Sequence, residues 1–138
     1  MKFYIELSPN YWDKPPKIKI DVDNDIVWDA YITDTTVVEF TKEIPNNTKA
    51  KLNITLYDKS QNQTVAENGK VINDQLLFLV KIMLDDMDIE KLIYSAKYTT
   101  DTEVSDEVTV LGQNNGIWCL EFETPLYLWF LENTFKQS

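Results

Sequence analysis

The chain has 138 residues, of which 43% are hydrophobic and 12% aromatic, so it is too apolar for a disordered protein and long enough to bury a core. Its 23 Asp and Glu residues against 13 Lys and Arg residues give a formal net charge of −10, which argues against nucleic acid as a partner. Histidine is absent and Cys119 is the single cysteine, which excludes a Ser-His-Asp triad, a Cys-His pair, an imidazole zinc site and an intrachain disulfide. We therefore predict one domain over residues 1–138.

Two segments bear on membranes and export. Glu6 lies in the N-terminal segment Met1–Glu6, where a signal peptide needs apolar residues. The longest apolar run, Leu126–Leu131, is far too short to cross a bilayer. We expect the protein to be made in the cytosol, to stay there unless it leaves inside a larger particle, and to have no membrane partner.

Alternation of apolar and polar residues predicts strands through the first third of the chain. These segments are Phe3–Leu7, Lys17–Val22, Ile26–Ile32 and Thr35–Phe40. The residues of Asp23–Asp25 favour a turn, so the second and third strands are expected to form a hairpin.

A proline-rich loop, Ser8–Pro16, separates the first two strands, because its three prolines cannot remain in a sheet ladder. Tyr11 and Trp12 are therefore held on a stiff loop, where exposed aromatic rings could stack on a sugar or insert into a partner surface. The alternative is that both rings fold back as a lid over one end of the β-sheet structure that these strands form. We take Tyr11 and Trp12 as a candidate aromatic binding platform.

The longest regular alternation lies between Ala50 and Leu84. It predicts two strands, Leu52–Leu56 and Leu76–Leu84, each with one buried face. Their connector contains Asn68-Gly69, and Asn-Gly is the strongest short-range hairpin signal because both central residues of a type I′ turn need a positive φ. We expect these two strands to pair as a hairpin and to set the register of a β-sandwich.

The following residues, Asp85–Asp88, end the long strand in a turn. Ile89–Tyr98 is predicted as a strand, with a helical turn as the alternative. Val104–Leu111 and Ile117–Glu123 flank a second Asn-Gly turn in Gln113–Gly116, and they predict a second hairpin.

The chain closes on an apolar helix. Thr124-Pro125 supplies an N-cap and a first-turn proline for Leu126–Asn133, while a terminal strand is the competing prediction. The apolar residues of this segment either close the core or form an interface with a neighbouring subunit. The candidate interface residues are Leu126, Trp129 and Phe130. The whole pattern predicts an all-β, mainly antiparallel, jelly-roll-like β-sandwich with a short C-terminal helix.

Carboxylates suggest two candidate cation sites and no catalytic one. Asp21–Asp25 imitates the start of an EF-hand, but Ile26 occupies the glycine position and Ile32 the position of the bidentate glutamate. The second cluster, with the same chemistry, is Asp85, Asp86 and Asp88. Glycoside hydrolysis needs a defined pair of carboxylates. Because no such pair stands out among 23 acidic residues, we predict that the protein is not an enzyme.

Short motifs in two regions resemble a known family. The first set resembles the second half of calcium-dependent xylan-binding carbohydrate-binding modules and their relatives encoded by marine bacteriophages. Its motifs are Leu52–Lys59, Thr64-Val65, Asn68–Lys70, Asn73–Leu77 and Ile82–Ile89. The second set is similar to the closing segment of small, uncharacterised phage proteins. Its motifs are Asn115–Trp118, Phe122–Pro125 and Tyr127–Asn133.

The resemblance implies a jelly-roll sandwich, a non-catalytic role and calcium held by an acidic segment, in which Asp74 matches the family's aspartate. Gln75-Leu76 stands where an arginine-asparagine pair usually follows that aspartate. Two functions are implied. The first is an accessory structural component of a bacteriophage virion, located on its capsid, tail or fibre and bound to other virion proteins or to itself. The alternative is a calcium-dependent polysaccharide-binding module that recognises, for example, a host surface polysaccharide.

Overall fold

The computed structural model describes residues 1–106, 108–112 and 114–136. The described strands are β1 (Lys2–Asn10), β2 (Lys17–Val22), β3 (Asp25–Tyr31), β4 (Thr36–Thr41), β5 (Lys49–Tyr57), β6 (Val65–Glu67), β7 (Lys70–Asn73), β8 (Leu76–Leu84), β9 (Met87–Asp88), β10 (Ala96–Thr99), β11 (Val104–Asp106), β12 (Val110–Leu111) and β13 (Gly116–Glu123). The helix α1 is Leu126–Lys136, and short 3₁₀ helices lie at Gln61–Gln63 and Glu90–Ser95.

The described strands form two main antiparallel sheets and a small ribbon. The first sheet has the order β12-β8-β1-β4, with β9 paired to β8. The second sheet has the order β11-β10-β13-β5-β2-β3, and β6 and β7 form the ribbon. The predicted all-β, mainly antiparallel sandwich with a short C-terminal helix is confirmed.

Side chains from both sheets meet in one core. Alternate residues of β1 point inward from the first sheet, and alternate residues of β2, β5 and β13 point inward from the second. In β8 the alternation is interrupted by the adjacent exposed residues Val80 and Lys81, and the buried residues are Leu77, Leu79, Ile82 and Leu84. Phe3 of the first sheet packs edge-on against Phe122 of the second, with ring centroids 6.2 Å apart. Trp118 and Leu120 are fully buried with Phe122 on the same face of β13.

The two strands that the sequence joins through Asn68-Gly69 lie in different sheets. β5 pairs with β2 and β13, whereas β8 pairs with β1, β12 and β9. Asn68 and Gly69 do adopt positive φ values of 53° and 79°, but they form the turn of the β6–β7 ribbon. The expected pairing was wrong because an Asn-Gly turn fixes only the strands that flank it directly.

The second predicted hairpin is also corrected. Val104–Leu111 splits into β11, which pairs with β10, and β12, which pairs with β8 of the other sheet. Its predicted partner, β13, pairs with β10 and β5. The chain thus changes sheets between β11 and β12, a step that period-two alternation does not reveal. Gln113, in the predicted turn, lies outside the described residues.

Ile89–Tyr98 contains both of the expected structures. The 3₁₀ helix Glu90–Ser95 comes first. At the start of this helix the Asp88 carboxylate accepts a hydrogen bond from the Glu90 amide at 2.9 Å. Only Ala96–Thr99 is a strand. The carboxylate satisfies a free amide at the start of the turn, which favours the helical conformation there.

Two predicted acidic turns are present. Asp23 and Asn24 have φ values of 49° and 72° in the β2–β3 hairpin, as expected. Asp85 and Asp86 have φ values of 46° and 64° where β8 ends and β9 begins. Asp and Asn tolerate this left-handed conformation better than other non-glycine residues, which explains their place in both turns.

The helix α1 packs inward against the end of the sandwich. Leu126 and Trp129 are each 7% exposed, and Phe130 is partly buried against the core. The Thr124 hydroxyl donates to the Pro45 carbonyl oxygen at 2.7 Å, so it ties the helix start to a loop. These positions agree with a core-closing role, and coverage of the helix by another subunit stays a prediction. None of the described helices is long and apolar enough to cross a membrane.

Candidate functional site

A groove at one end of the sandwich brings together residues that the sequence singled out separately. It has a volume of about 480 Å³, within the usual range for small-ligand sites. We call it the aromatic groove. Its lining residues are Asn10, Tyr11, Trp12, Val71, Ile72, Asn73, Asp74 and Leu76. The predicted aromatic platform and the predicted acidic residue Asp74 therefore share one concave surface.

Hydrogen bonds fix the two aromatic rings of the groove while leaving them partly exposed. The Tyr11 hydroxyl donates to the Thr33 carbonyl oxygen at 3.0 Å. The Trp12 indole N–H donates to the Gln63 carbonyl oxygen at 2.8 Å. Tyr11 remains 37% exposed and Trp12 48% exposed, so the rings are neither free nor folded into the core. Rigid, half-exposed rings of this kind suit stacking on a ligand.

Two buried glutamines hold the loop that carries these rings. The Gln63 side-chain amide donates to the Asp13 carboxylate at 3.0 Å. The Gln75 amide donates to the carbonyl oxygens of Lys14 and Pro15 at 2.9 and 3.3 Å. Each glutamine is only 1% exposed. The sequence predicted the burial of neither glutamine, because a polar residue in a connector carries no periodic signal of burial.

Asp74 is ionised and engaged by three donors at a single oxygen. Its Oδ1 accepts hydrogen bonds from Lys59 Nζ at 2.6 Å, Thr64 Oγ1 at 2.7 Å and the Gln75 amide at 2.8 Å. Burial acts to raise the pKa of Asp74, but the hydrogen bonds from Lys59, Thr64 and Gln75 outweigh it and hold the pKa below its usual value. Its Oδ2 accepts no hydrogen bond from the described residues.

A second, polar groove of about 530 Å³ lies beside Asp74. It is lined by Lys59, Ser60, Gln61, Thr64, Asp101, Thr102, Asn114 and Asn115. The Asn115 side chain accepts from the Lys59 amide and donates to the Lys59 carbonyl oxygen, both at 2.9 Å. Since Lys59 and Thr64 also bond Asp74, the pair formed by Lys59 and Asp74 lies between the two grooves.

The other predicted acidic cluster does not converge on a common point. The Asp85 carboxylate accepts from the Lys2 amide at 2.7 Å, and Asp86 lies 3.6 Å from Lys2 Nζ. Asp88 bonds the Glu90 amide. Across residues 1–106, 108–112 and 114–136, no group of three or more His, Cys, Asp or Glu residues is placed to hold a metal ion. Asp85 and Asp86 also lie beside the start of β1, whereas Asp74 lies near its end.

The predicted cation site at Asp21–Asp25 is a structural turn. Asp21 is 6% exposed and accepts hydrogen bonds from the Asn24 amide at 3.0 Å and the Asn53 side chain at 2.9 Å. The Asp23 carboxylate accepts from the Lys51 amide at 2.9 Å. These oxygens link the β2–β3 turn to β5.

Tyr31 and Tyr57 form a pair on the outer face of the second sheet that the sequence did not predict. Lys17 Nζ lies 5.3 Å from the ring centre of Tyr31 and 5.2 Å from that of Tyr57, within cation–π range. A hydrogen bond from the Tyr57 hydroxyl to Asp29, with burial adding to it, raises the pKa of Tyr57 to about 12. These residues come from β2, β3 and β5, so finding them required the strand order.

Comparison with known proteins identifies the fold alone. No protein-family model and no curated protein matches the chain. A solved structure described as vCBM60 in complex with galactobiose is similar, with a TM-score of 0.53 and 10% sequence identity. The match covers 87% of this chain and 97% of that one. The chain therefore has a β-sandwich fold similar to that of a carbohydrate-binding module.

Proposed function

We propose that this protein is a non-catalytic carbohydrate-binding module and that a polysaccharide chain binds in the aromatic groove. The observation that carries this proposal is the meeting of Trp12 and Asp74 in one groove, with the indole ring fixed and half exposed. The similar fold of a carbohydrate-binding module supports it.

The lining of the groove matches the two chemical features of a sugar ring. A pyranose has an apolar C–H face, which stacks on an aromatic ring, and a rim of hydroxyl groups, which need hydrogen-bond partners. Tyr11 and Trp12 supply the rings, and the exposed amides of Asn10 and Asn73 supply donors and acceptors. The second oxygen of Asp74 adds a charged acceptor. A few polar groups among apolar ones are typical of a site that orients its ligand.

The loop of Tyr11 and Trp12 is ordered before any ligand arrives. Its contacts with Thr33, Gln63 and Gln75 fix both ring positions and the backbone that follows. Binding of a ligand then costs the protein little conformational entropy. A ligand that contacts only a small area of the groove can therefore still bind.

The acidic chemistry of the groove favours binding over hydrolysis. Cleavage of a glycosidic bond requires a carboxyl with a raised pKa as the acid and a second carboxylate as base or nucleophile. Asp74 is the one carboxylate among the described lining residues, and its pKa is lowered. It is therefore suited to accept a hydrogen bond from a sugar hydroxyl and not to donate a proton to a leaving group.

Affinity electrophoresis tests this function. Native gels containing xylan, β-galactan or another soluble polysaccharide should retard the wild-type protein, and Trp12→Ala should restore free mobility. Tyr127→Ala is the matched control, because Tyr127 is a 60% exposed aromatic on α1 outside the groove lining. Unchanged wild-type mobility across a broad polysaccharide panel would contradict the proposal.

The virion role predicted from the sequence resemblance stays a separate prediction. The feature available to such a role is the outward side of α1, where Tyr127, Leu128 and Leu131 are 60%, 45% and 50% exposed. If the protein is a particle component, it should co-purify with intact bacteriophage particles at a fixed ratio. Its absence from purified particles would remove that role and leave carbohydrate binding unaffected.

A further inference from the structure

We propose that the ammonium group of Lys59 is the built-in cation of the candidate site, replacing the calcium ion that the sequence resemblance implies. Lys59 Nζ donates to Asp74 Oδ1 at 2.6 Å and also to the Gly112 carbonyl oxygen. Ligand binding in the aromatic groove is then independent of calcium. This last consequence rests on the proposed function, whereas the replacement itself does not.

The burial of Lys59 shows that its charge is part of the fold. Its side chain is 5% exposed and that of Asp74 is 19% exposed. A lysine is almost never buried this deeply without a partner, because removing an ammonium from water carries a large desolvation penalty. The carboxylate and the carbonyl oxygen offset that cost through charge-assisted hydrogen bonds.

The acceptors around Lys59 are the kinds of oxygen that calcium binds. Calcium takes six to eight oxygen ligands from carboxylates, main-chain carbonyls and water. Here one carboxylate and one carbonyl oxygen face a single positive group, and the ammonium occupies their shared space. A divalent ion at Asp74 Oδ1 would meet the positive charge of Lys59 at close range. The residues present therefore fit an ammonium and do not fit calcium.

Gly112 is built to bring its carbonyl oxygen close to this position. Its φ is +150°, and a side chain there would place a Cβ 2.6 Å from Leu76 Cδ2 and 2.7 Å from the Gln75 carbonyl oxygen. Only glycine fits such a close approach. Lys59 thus bonds Gly112, which directly follows β12, and Asp74, which lies between β7 and β8. Lys59 itself lies two residues after β5 of the opposite sheet.

This arrangement gives Lys59 the mechanical role that a structural metal would have. It joins connections from both sheets between the two grooves, and Thr64 completes the link to the start of the ribbon. The arrangement also orients Asp74. Its Oδ1 accepts three hydrogen bonds, while its Oδ2 stays available for a ligand hydroxyl. The groove keeps this geometry at any calcium concentration.

Calcium titration of the wild-type protein, without any polysaccharide, tests the replacement. We expect no saturable heat by calorimetry after dialysis against EDTA, and the same Tm in EDTA and in millimolar calcium. A saturable heat with a rise in Tm, both abolished by Asp74→Asn, would overturn the proposal. Because no glycan is present, the result does not depend on the proposed function.

Two variants test the role of the ammonium group itself. Lys59→Met keeps most of the aliphatic volume but leaves the Asp74 carboxylate without its charge partner, so the Tm should fall. The double variant Lys59→Met/Asp74→Asn removes both charges and should recover part of that loss. A double variant no more stable than Lys59→Met would contradict an ionic role for Lys59. If Lys59→Met does not fold, the wild-type calcium titration still decides.

Polysaccharide retention in EDTA then connects the site with the function. We expect equal retardation of the wild-type protein in EDTA and in calcium. Retardation that EDTA abolishes would overturn calcium independence while supporting carbohydrate binding. An absence of retardation in both conditions would contradict the proposed function alone, with the replacement judged by the calcium titration.

Discussion

The indole nitrogen of Trp12 lies 2.8 Å from the carbonyl oxygen of Gln63, across a separation of 51 residues in the chain. Gln63 is itself 1% exposed, so the ring is anchored to a part of the backbone that is fixed in the fold. Trp12 is nevertheless 48% exposed. This combination of a fixed edge and an open face makes the ring a platform for stacking.

Replacing Trp12 separates stacking from anchoring. Trp12→Ala removes both, and we expect it to weaken polysaccharide binding about tenfold or more, since an aromatic contact contributes on the order of 1 kcal/mol beyond its area. Trp12→Phe retains an aromatic face without the indole N–H, and it should bind with intermediate affinity. Calorimetry with the best-retained polysaccharide measures both. Equal affinities for the wild type and Trp12→Ala would place the ligand elsewhere.

Gln75 is expected to stabilise the loop that carries Tyr11 and Trp12, because its side-chain amide bonds the backbone of that loop. Gln75→Met removes the donor to the Lys14 and Pro15 carbonyl oxygens and should lower the free energy of unfolding by about 1–2 kcal/mol. Gln61→Met is the control, because Gln61 is exposed. Urea unfolding followed by tryptophan fluorescence compares the three proteins. A Gln75→Met variant as stable as Gln61→Met would show that the buried amide does not support the loop.

The strands were predictable because their signal is local. Period-two alternation predicted Lys17–Val22 and Leu76–Leu84 with the bounds that the structure has. Pairing is a non-local property, and this is why two Asn-Gly motifs led to wrong hairpins. Asn68-Gly69 correctly predicted a turn, but the strands that it joins are the short flanking ones.

The candidate site was predictable only in parts. Prolines around Tyr11 and Trp12 indicated a stiff aromatic loop, and the resemblance pointed to Asp74. Nothing in the sequence indicated that these residues share a groove, because β1 and β7 are far apart in the chain. Lys59 was missed for a different reason. A lysine in a connector is normally solvated, and its burial becomes evident only when Asp74 and Gly112 are seen around it.

Acid should weaken the fold partly through Asp74. The hydrogen bonds that lower its pKa in the folded state favour the ionised form, against the opposing effect of burial. The resulting stabilisation is complete above the ordinary pKa of 3.8 and is lost as the pH falls below that value toward the lowered folded pKa. We expect Asp74→Asn to reduce the acid-dependent fall in Tm. Asp86→Asn, at an exposed position, should leave that fall nearly unchanged. Identical pH profiles for the wild type and Asp74→Asn would refute this assignment.

Tyr57 should lose its proton only in strongly alkaline solution. The hydrogen bond to Asp29, together with burial, raises its pKa from 10.0 to about 12. Any stability that this bond contributes is present below pH 10 and is lost as the pH rises toward 12. Tyrosinate absorbance should show that Tyr57→Phe lacks a component near pH 12, and that Asp29→Asn moves this component toward pH 10. Because Tyr98 also has a pKa of about 12, the informative quantity is the difference between wild type and variant. Titration of Tyr57 near pH 10 would show that the bond to Asp29 is absent in solution.

The helix α1 offers a paired test of core closure. Trp129 is 7% exposed and packs edge-on against Phe122, with ring centroids 6.4 Å apart. Trp129→Ala should therefore lower the free energy of unfolding by about 3–5 kcal/mol, as expected when a large buried aromatic is removed. Tyr127→Ala, two residues earlier on the exposed side, should change it by less than about 0.5 kcal/mol. Chemical denaturation at several protein concentrations measures both effects. A loss in Tyr127→Ala that appears only at high protein concentration would instead indicate that another copy of the chain covers this side of the helix, because stability that depends on concentration reports association.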